Sequence, residues 1–181
     1  MHLLAGVSAR LSVLVLVTLF CPGGKAFAGE ESVFKVSVLQ PMDASYDVVY
    51  KALEEERFYV VFEPNIGANL SRMAKRWGED YNRNELTGIR SMVFCNAWYA
   101  NKVSNLDPDM LGFCPLHITL VERVQDGHAQ TTVLFNRPTA MTAGSAAHEL
   151  LGRIEAEVIA AIEKGLVRLE SAQGGTQKNA P

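Results

Sequence analysis

The feature that most constrains the fold of this chain is a β-hairpin signal, Asp126-Gly127, between two runs of alternating apolar residues. Asp-Gly is a preferred two-residue connection because its turn matches the twist of the flanking strands. The runs Leu116–Gln125 and His128–Asn136 are therefore predicted to pair antiparallel, with the last residue of the first opposite the first residue of the second. This register gives a core face made of Ile118, Leu120, Val133 and Phe135.

Strand and helix patterns alternate over the rest of the chain, as judged from apolar periods of two and of 3.6 residues. The predicted elements are a strand over Ser32–Leu39, a helix from an Asp43 N-cap to about Arg57, a strand over Phe58–Phe62, a helix over Ile66–Trp77, a strand over Leu86–Cys95, a short helix capped by Asn96 and running through Val103, the hairpin, and a long helix from Ser145 through Leu169. This order predicts an α+β fold, a single two-layer domain with a mainly antiparallel sheet and helices packed on one face.

The first 28 residues have the layout of a secretory signal peptide. Arg10 precedes the apolar run Leu11–Phe20, and Ala26-Phe27-Ala28 supplies small residues before a cleavage site. The run is too short to span a bilayer as a helix, which needs about 20 residues. Lipidation at Cys21 is disfavoured because a phenylalanine precedes it where a lipoprotein has a small residue. We expect cleavage between Ala28 and Gly29 and a soluble periplasmic or secreted protein without stable membrane insertion.

The expected mature chain is one domain, residues 29–170, followed by a polar tail, residues 171–181, that is predicted to be disordered. Cleavage leaves 15 of the 17 basic residues and all 20 acidic residues, which gives a net charge of −5. An acidic balance counts against nucleic acid as a partner, since phosphate binding needs a basic surface. A small ligand or a periplasmic protein is the expected partner.

Cys95 and Cys114 are the two cysteines that remain after cleavage, 19 positions apart, each where a predicted strand meets a loop. Four alternatives fit them: a disulfide, a reactive dithiol, a shared metal ion, or two inert thiols. The spacing is too long for the Cys-x-x-Cys motif of thiol oxidoreductases. The pair can meet only if the two strands run antiparallel, because parallel strands would separate the cysteines by a strand length of about 17 Å.

His117 is a weak candidate as a ligand or metal-binding residue. It follows Cys114 by three positions, and residues three apart on a straight strand point to opposite faces. The other histidines are scattered, so the sequence predicts no metal site and no cofactor. Thioether copper ligation by Met42, Met110 and Met141 is an alternative, but isolated methionines usually fill gaps in cores.

A basic helical face made of Arg72, Lys75 and Arg76 is a weak candidate for anion binding, although most such faces are simply solvated. No nucleophile, base and orienting group can be assembled, so no catalytic residue is predicted and an enzyme is not favoured. The leading hypothesis is an exported soluble binding or accessory module with its ligand between the layers. The competing hypothesis is a thiol-based redox or metal-handling protein that uses Cys95 and Cys114.

Several segments of the chain resemble one family. They are Arg57–Glu63, the helix Ile66–Trp77, Phe94-Cys95-Asn96, Leu106–Pro108, Cys114-Pro115 and Arg137-Pro138. Together, from about Phe34 to Pro138, they resemble the domain of unknown function 302 family. The resemblance implies a small two-layer domain of helices and strands, and it brings no agreed activity. The chain departs from the family pattern at Ala97, where the family has proline, and at Cys114-Pro115, where the family has the reverse order.

Overall fold

The computed structural model describes residues 32–176, so the predicted signal peptide, its cleavage site and residues 177–181 lie outside the described residues. Within this range the chain forms five strands and five α-helices. Their bounds are β1 Val33–Val38, α1 Met42–Glu55, β2 Tyr59–Phe62, α2 Ile66–Ser71, α3 Ala74–Trp77, β3 Gly88–Cys95, α4 Ala97–Leu106, β4 Leu116–Gln125, β5 His128–Asn136 and α5 His148–Thr176. None of the helices described here is long and apolar enough to cross a membrane.

The five strands form one antiparallel sheet in the order β1-β5-β4-β3-β2. The β4–β5 hairpin has the predicted register, with Gln125 opposite His128. Asp126 and Gly127 both have positive φ, 51° and 79°, as the predicted turn requires. The predicted core pairs of the hairpin are fully buried. The prediction of an α+β fold with a mainly antiparallel sheet is confirmed.

Helices α1 and α5 supply the apolar layer that covers the sheet. Both carry buried side chains at helical spacing, which pack against the inward residues of the strands. Burial of these side chains is the main source of stability, at roughly 25 cal/mol per Å² of apolar surface. The buried side chains of the two helices include Val49, Leu53, Leu151, Ile154, Val158 and Ile162.

The prediction of one continuous helix over Ile66–Trp77 is wrong. The segment forms two short helices, α2 and α3, and none of their side chains is fully buried. The cause is their position along the edge of the sheet, where the carbonyl of Pro64 accepts a hydrogen bond from Ser91 of β3 at 3.0 Å. A helix at an edge contacts the protein on one side only, so Trp77 at the end of the predicted apolar stripe is 41% exposed.

Two predicted helix ends also differ from the structure. Helix α1 begins at Met42, so Asp43 lies in its first turn and is not the N-cap. Helix α5 begins at His148, and the Oγ of Ser145 accepts a hydrogen bond from the backbone of Ala147 at 3.1 Å just before it. The helix continues to Thr176, so residues 171–176, predicted as the start of a disordered tail, are helical.

A buried carboxylate joins the end of β5 to α5. Glu155, with its side chain 4% exposed, accepts hydrogen bonds from Arg137 Nε at 2.6 Å and from the backbone and hydroxyl of Thr139 at 3.0 and 2.6 Å. Burial alone would raise the pKa of Glu155, but these hydrogen bonds outweigh it and hold the pKa below its usual value. The Arg137-Pro138 segment is thus tied to the helix layer by a fully partnered charge.

We expect Gly165→Ala to lower the free energy of unfolding by about 1–3 kcal/mol, the usual cost of overpacking. A Cβ at Gly165 would stand 2.8 Å from the carbonyl oxygen of Val48, so α1 and α5 would have to move apart. Gly152→Ala in the same helix is the matched control, because its Cβ would meet Thr139 at an ordinary 3.5 Å. There we expect a gain of up to about 1 kcal/mol from helix propensity.

Urea unfolding of both variants measures the difference. Equal stability of the Gly165→Ala and Gly152→Ala proteins would contradict the close contact of the two helices.

Candidate functional site

Cys95 and Cys114 meet where β3 ends and β4 begins. Antiparallel pairing sets Phe94 opposite Leu116, so the end of β3 and the residues before β4 lie at the same edge of the ladder. The two Sγ atoms are 3.2 Å apart, and both thiols are free. A disulfide bond is about 2.0 Å long, so a small movement of the side chains would suffice to form one.

A helix cap fixes the backbone directly after Cys95. The Oδ1 of Asn96 accepts hydrogen bonds from the backbone N–H groups of Trp98 and Tyr99 at 3.1 and 3.2 Å. Such a cap satisfies N–H groups that have no partner within the helix. The predicted cap at Asn96 is confirmed, and α4 therefore turns away from the sheet immediately after the cysteine.

Hydrogen bonds also fix the turn before Cys114. Residues 108–113 form a 3₁₀ turn, and the backbone N–H of Cys114 donates to the carbonyl of Leu111 at 2.9 Å. Asp107 caps this turn by accepting from the backbone of Asp109 at 3.2 Å and also accepts from the hydroxyl of Ser145 at 2.6 Å. Both cysteines thus stand on backbone that is held by hydrogen bonds on either side.

The pair borders a small apolar cavity of about 30 Å³. That volume has room for a single water or ion but not for an organic ligand. Burial in this surrounding raises the pKa of the Cys114 thiol to about 11, and the adjacent Cys95 sulfur adds to the rise. Besides the cysteines, the lining includes Phe58, Phe94, Tyr99, Val103, Met110 and Leu151.

Met110 is a site residue that the sequence interpretation assigned to gap filling. Its side chain is half-buried and lines the cavity that both cysteines border. The available signal was its spacing, four residues before Cys114 on the turn that Asp107-Pro108 begins. Apolar periodicity could not show it, because the turn has neither a helical nor a strand period.

The structure does not bring His117 into a metal site with the cysteines. His117 is exposed, pairs with Val93, and lies on the face of β4 opposite the buried Ile118. Over residues 32–176, no three or more His, Cys, Asp and Glu side chains form a group that could hold a metal ion. A role for His117 as a ligand or metal-binding residue stays a prediction.

The basic residues Arg72, Lys75 and Arg76 are all exposed on the segment of α2 and α3. Arg72 follows the last residue of α2, and the other two lie in the last turn of α3. They belong to the edge of the sheet and are absent from the lining of the cavity beside the cysteines. Anion binding by this face stays a prediction.

A larger cleft of about 630 Å³ lies at the other end of β3, between the start of α1 and residues 65–90. Its volume is in the range of about 300–1,000 Å³ that is typical of small-molecule sites. The sequence interpretation missed it because its walls come from separated segments. The polar and aromatic residues of the lining include Asp43, Asn65, Trp77, Tyr81, Thr87, Arg90 and Glu122.

Glu122 holds two walls of this cleft together. One carboxylate oxygen accepts from the backbone N–H of Met42 at 2.7 Å, and the other accepts from the hydroxyl of Thr87 at 2.8 Å. A carboxylate at the first turn of α1 also interacts favourably with the helix dipole. The start of α1 is therefore capped from β4 and not by a residue of its own segment.

Arg90 lines the cleft and packs on the ring of a buried tyrosine, Tyr46. Its guanidinium lies 3.7 Å from the centroid of the Tyr46 ring and donates to Asp43 at 3.0 Å. The Tyr46 hydroxyl donates to Glu63 at 2.7 Å and to the Ser91 carbonyl at 3.3 Å. Burial and the neighbouring Glu63 carboxylate raise the pKa of Tyr46, so this tyrosine stays a neutral donor.

The fold is shared with a solved structure. The crystal structure of an uncharacterized conserved DUF302 protein from Bacillus stearothermophilus matches with a TM-score of 0.61 and 20% sequence identity, covering 74% of this chain and 98% of that chain. At this identity the likeness shows the fold alone. No curated protein matches this chain. The family model for the domain of unknown function DUF302 matches residues 34–169, which confirms the resemblance seen in the sequence, and this chain belongs to the DUF302 family.

Proposed function

We propose that this protein is an exported thiol-based redox module that works through the reversible formation of a disulfide between Cys95 and Cys114. The observation that carries the proposal is the 3.2 Å distance between their Sγ atoms. Both side chains are half-buried, so a partner can approach them without unfolding of the core. The expected partner is a periplasmic or secreted protein that carries an exchangeable disulfide.

The exchange proceeds in two balanced steps. The thiolate of one cysteine attacks a sulfur of the partner's disulfide, which forms a mixed disulfide and releases one partner thiolate. The second cysteine, after losing its proton, attacks the mixed disulfide, closes the Cys95–Cys114 bond and releases the second partner thiolate. Two electrons pass to the partner, whose disulfide becomes two thiols. Reduction of the module is the same sequence in reverse.

Oxidation would also stabilise the fold. The bond closes a loop between positions that are 19 residues apart, which in the chain-entropy model adds about 3 kcal/mol to the free energy of unfolding. The loop contains α4 and the 3₁₀ turn, so the bond would tie this excursion to the sheet. The reduced and oxidised forms are therefore expected to differ in stability more than in fold.

Export belongs to the same proposal. The layout of the first 28 residues supports a signal peptide cleaved between Ala28 and Gly29, which delivers the chain to an oxidising compartment. A persistent disulfide is rare in a reducing cytosol. The compartment inferred from the N-terminus is therefore one in which the disulfide proposed for the cysteines can persist.

Intact-mass spectrometry of the protein purified from its own host tests both parts. We expect a mature chain that begins at Gly29, no thiol that can be alkylated before reduction, and two after it. Cys95→Ser and Cys114→Ser are the matched controls, since each leaves one thiol that can be alkylated without reductant. A membrane fraction that retains residues 1–28 would contradict export. Two free thiols that persist in oxidised glutathione would contradict the redox role.

Binding of a small ligand in the cleft near Arg90 is a second candidate function, favoured by the cleft's volume of about 630 Å³. The lining combines an aromatic ring at Trp77 with carboxylates at Asp43 and Glu122 and with one guanidinium. Placed polar groups that fix the orientation of a ligand are a usual feature of ligand sites, and polar and apolar surface contribute about equally to this lining. This candidate keeps the hypothesis of a binding module and places its ligand at the start of α1.

The two tryptophans of the chain allow a paired test of the cleft. Trp77 lines the cleft, whereas Trp98 is 63% exposed at the start of α4. Small molecules released from the natively purified protein are added back to Trp98→Phe and Trp77→Phe proteins. We expect the tryptophan fluorescence to change in the first and not in the second. A response that both variants share, or that neither shows, would remove the cleft as the binding site.

A further inference from the structure

We propose that the reduced Cys95–Cys114 pair, together with Met110, binds a single Cu(I) ion. The inference deepens the proposed function, because it requires the same two thiols in their reduced form. Cu(I) would then compete with disulfide formation for these sulfurs. The module would hold copper when reduced and release it when oxidised.

The donor set is the first argument. Three sulfur-containing residues line one cavity, the two cysteines and Met110. Soft thiolate and thioether ligands select Cu(I) among the common biological metals. Met110 reaches the cavity from the 3₁₀ turn that Asp107 caps, and Asp107 is itself hydrogen-bonded to Ser145. The thioether thus stands on backbone that is held in place before a metal arrives.

The small number of donors is the second argument. A structural zinc site takes four nitrogen, sulfur or oxygen ligands. Among the residues that the structure describes, no three or more His, Cys, Asp and Glu side chains could share an ion, so a structural zinc ion would find at most two such ligands here. Two or three sulfur ligands are enough for Cu(I), which tolerates low coordination. The exposed His117 is not needed.

The shape of the site is the third argument. The cavity of about 30 Å³ has the size of one ion, and its remaining walls are almost entirely apolar. Two bare thiolates in such a surrounding would be costly because a buried charge needs a partner. A bound Cu(I) ion reduces the net charge of the pair from −2 to −1. Binding requires that both thiols lose their protons to the solvent and that the two sulfurs separate from their present 3.2 Å to admit the ion.

The test is an anaerobic titration of the fully reduced mature protein with Cu(I), in competition with a chromophoric Cu(I) chelator. We expect one equivalent to be withdrawn from the chelator. Cys95→Ser is expected to abolish this competition. Loss of an outer-shell partner of a metal ligand typically costs about 10–100-fold in affinity, so loss of the thioether ligand in Met110→Leu is expected to weaken binding at least about tenfold. Leucine fills a similar volume, which preserves the fold.

Met141→Leu is the matched control, because Met141 is 77% exposed and does not line this cavity. Its Cu(I) affinity should equal that of the unmodified protein. Equal affinity of the Met110→Leu protein would overturn the three-sulfur site. A reduced protein that forms the disulfide but takes no Cu(I) from the chelator would overturn this inference and leave the redox proposal standing. Stoichiometric Cu(I) binding by a protein that never forms the disulfide would overturn the redox proposal and leave the copper site standing.

Discussion

The antiparallel pairing of β3 with β4 is the constraint on which the rest of the structure depends. It sets Phe94 opposite Leu116, and this register alone brings Cys95 and Cys114 to one edge of the ladder. The same pairing places Arg90 and Glu122 at the opposite end, where they build the larger cleft. A slip of one residue would turn every side chain of the strand to the other face and would dismantle the core and both candidate sites together.

Much of the fold could be predicted because local sequence signals and burial agree. The Asp126-Gly127 turn fixes its register through backbone conformation, and Asn96 caps α4 through its own side chain. Both signals act within a few residues, so they survive any arrangement of the rest of the chain. The contact between the cysteines could be predicted only indirectly. It required the topology as well, since only antiparallel strands with a helical excursion between them bring Cys95 next to Cys114.

The remaining features depend on contacts between distant segments, which a local pattern cannot show. The apolar spacing from Ile66 to Trp77 is helical, yet the segment lies along a sheet edge and divides into two short helices. The cleft could not be predicted from the sequence because it depends on a distant contact: Glu122 on β4 caps a helix that begins 80 positions earlier in the chain. Met110 lies in a turn without periodicity, so its place beside the cysteines follows only from the folded backbone.

The central claim is that Cys95 and Cys114 form one redox-active site. Its most direct measurement is the pair of ¹³Cβ chemical shifts of these cysteines, followed by NMR through a series of glutathione redox buffers. We predict that both shifts pass from the thiol range to the disulfide range together, at a single redox potential and without dimer formation. A shift that changes at only one cysteine, or at neither in fully oxidising buffer, would contradict the account.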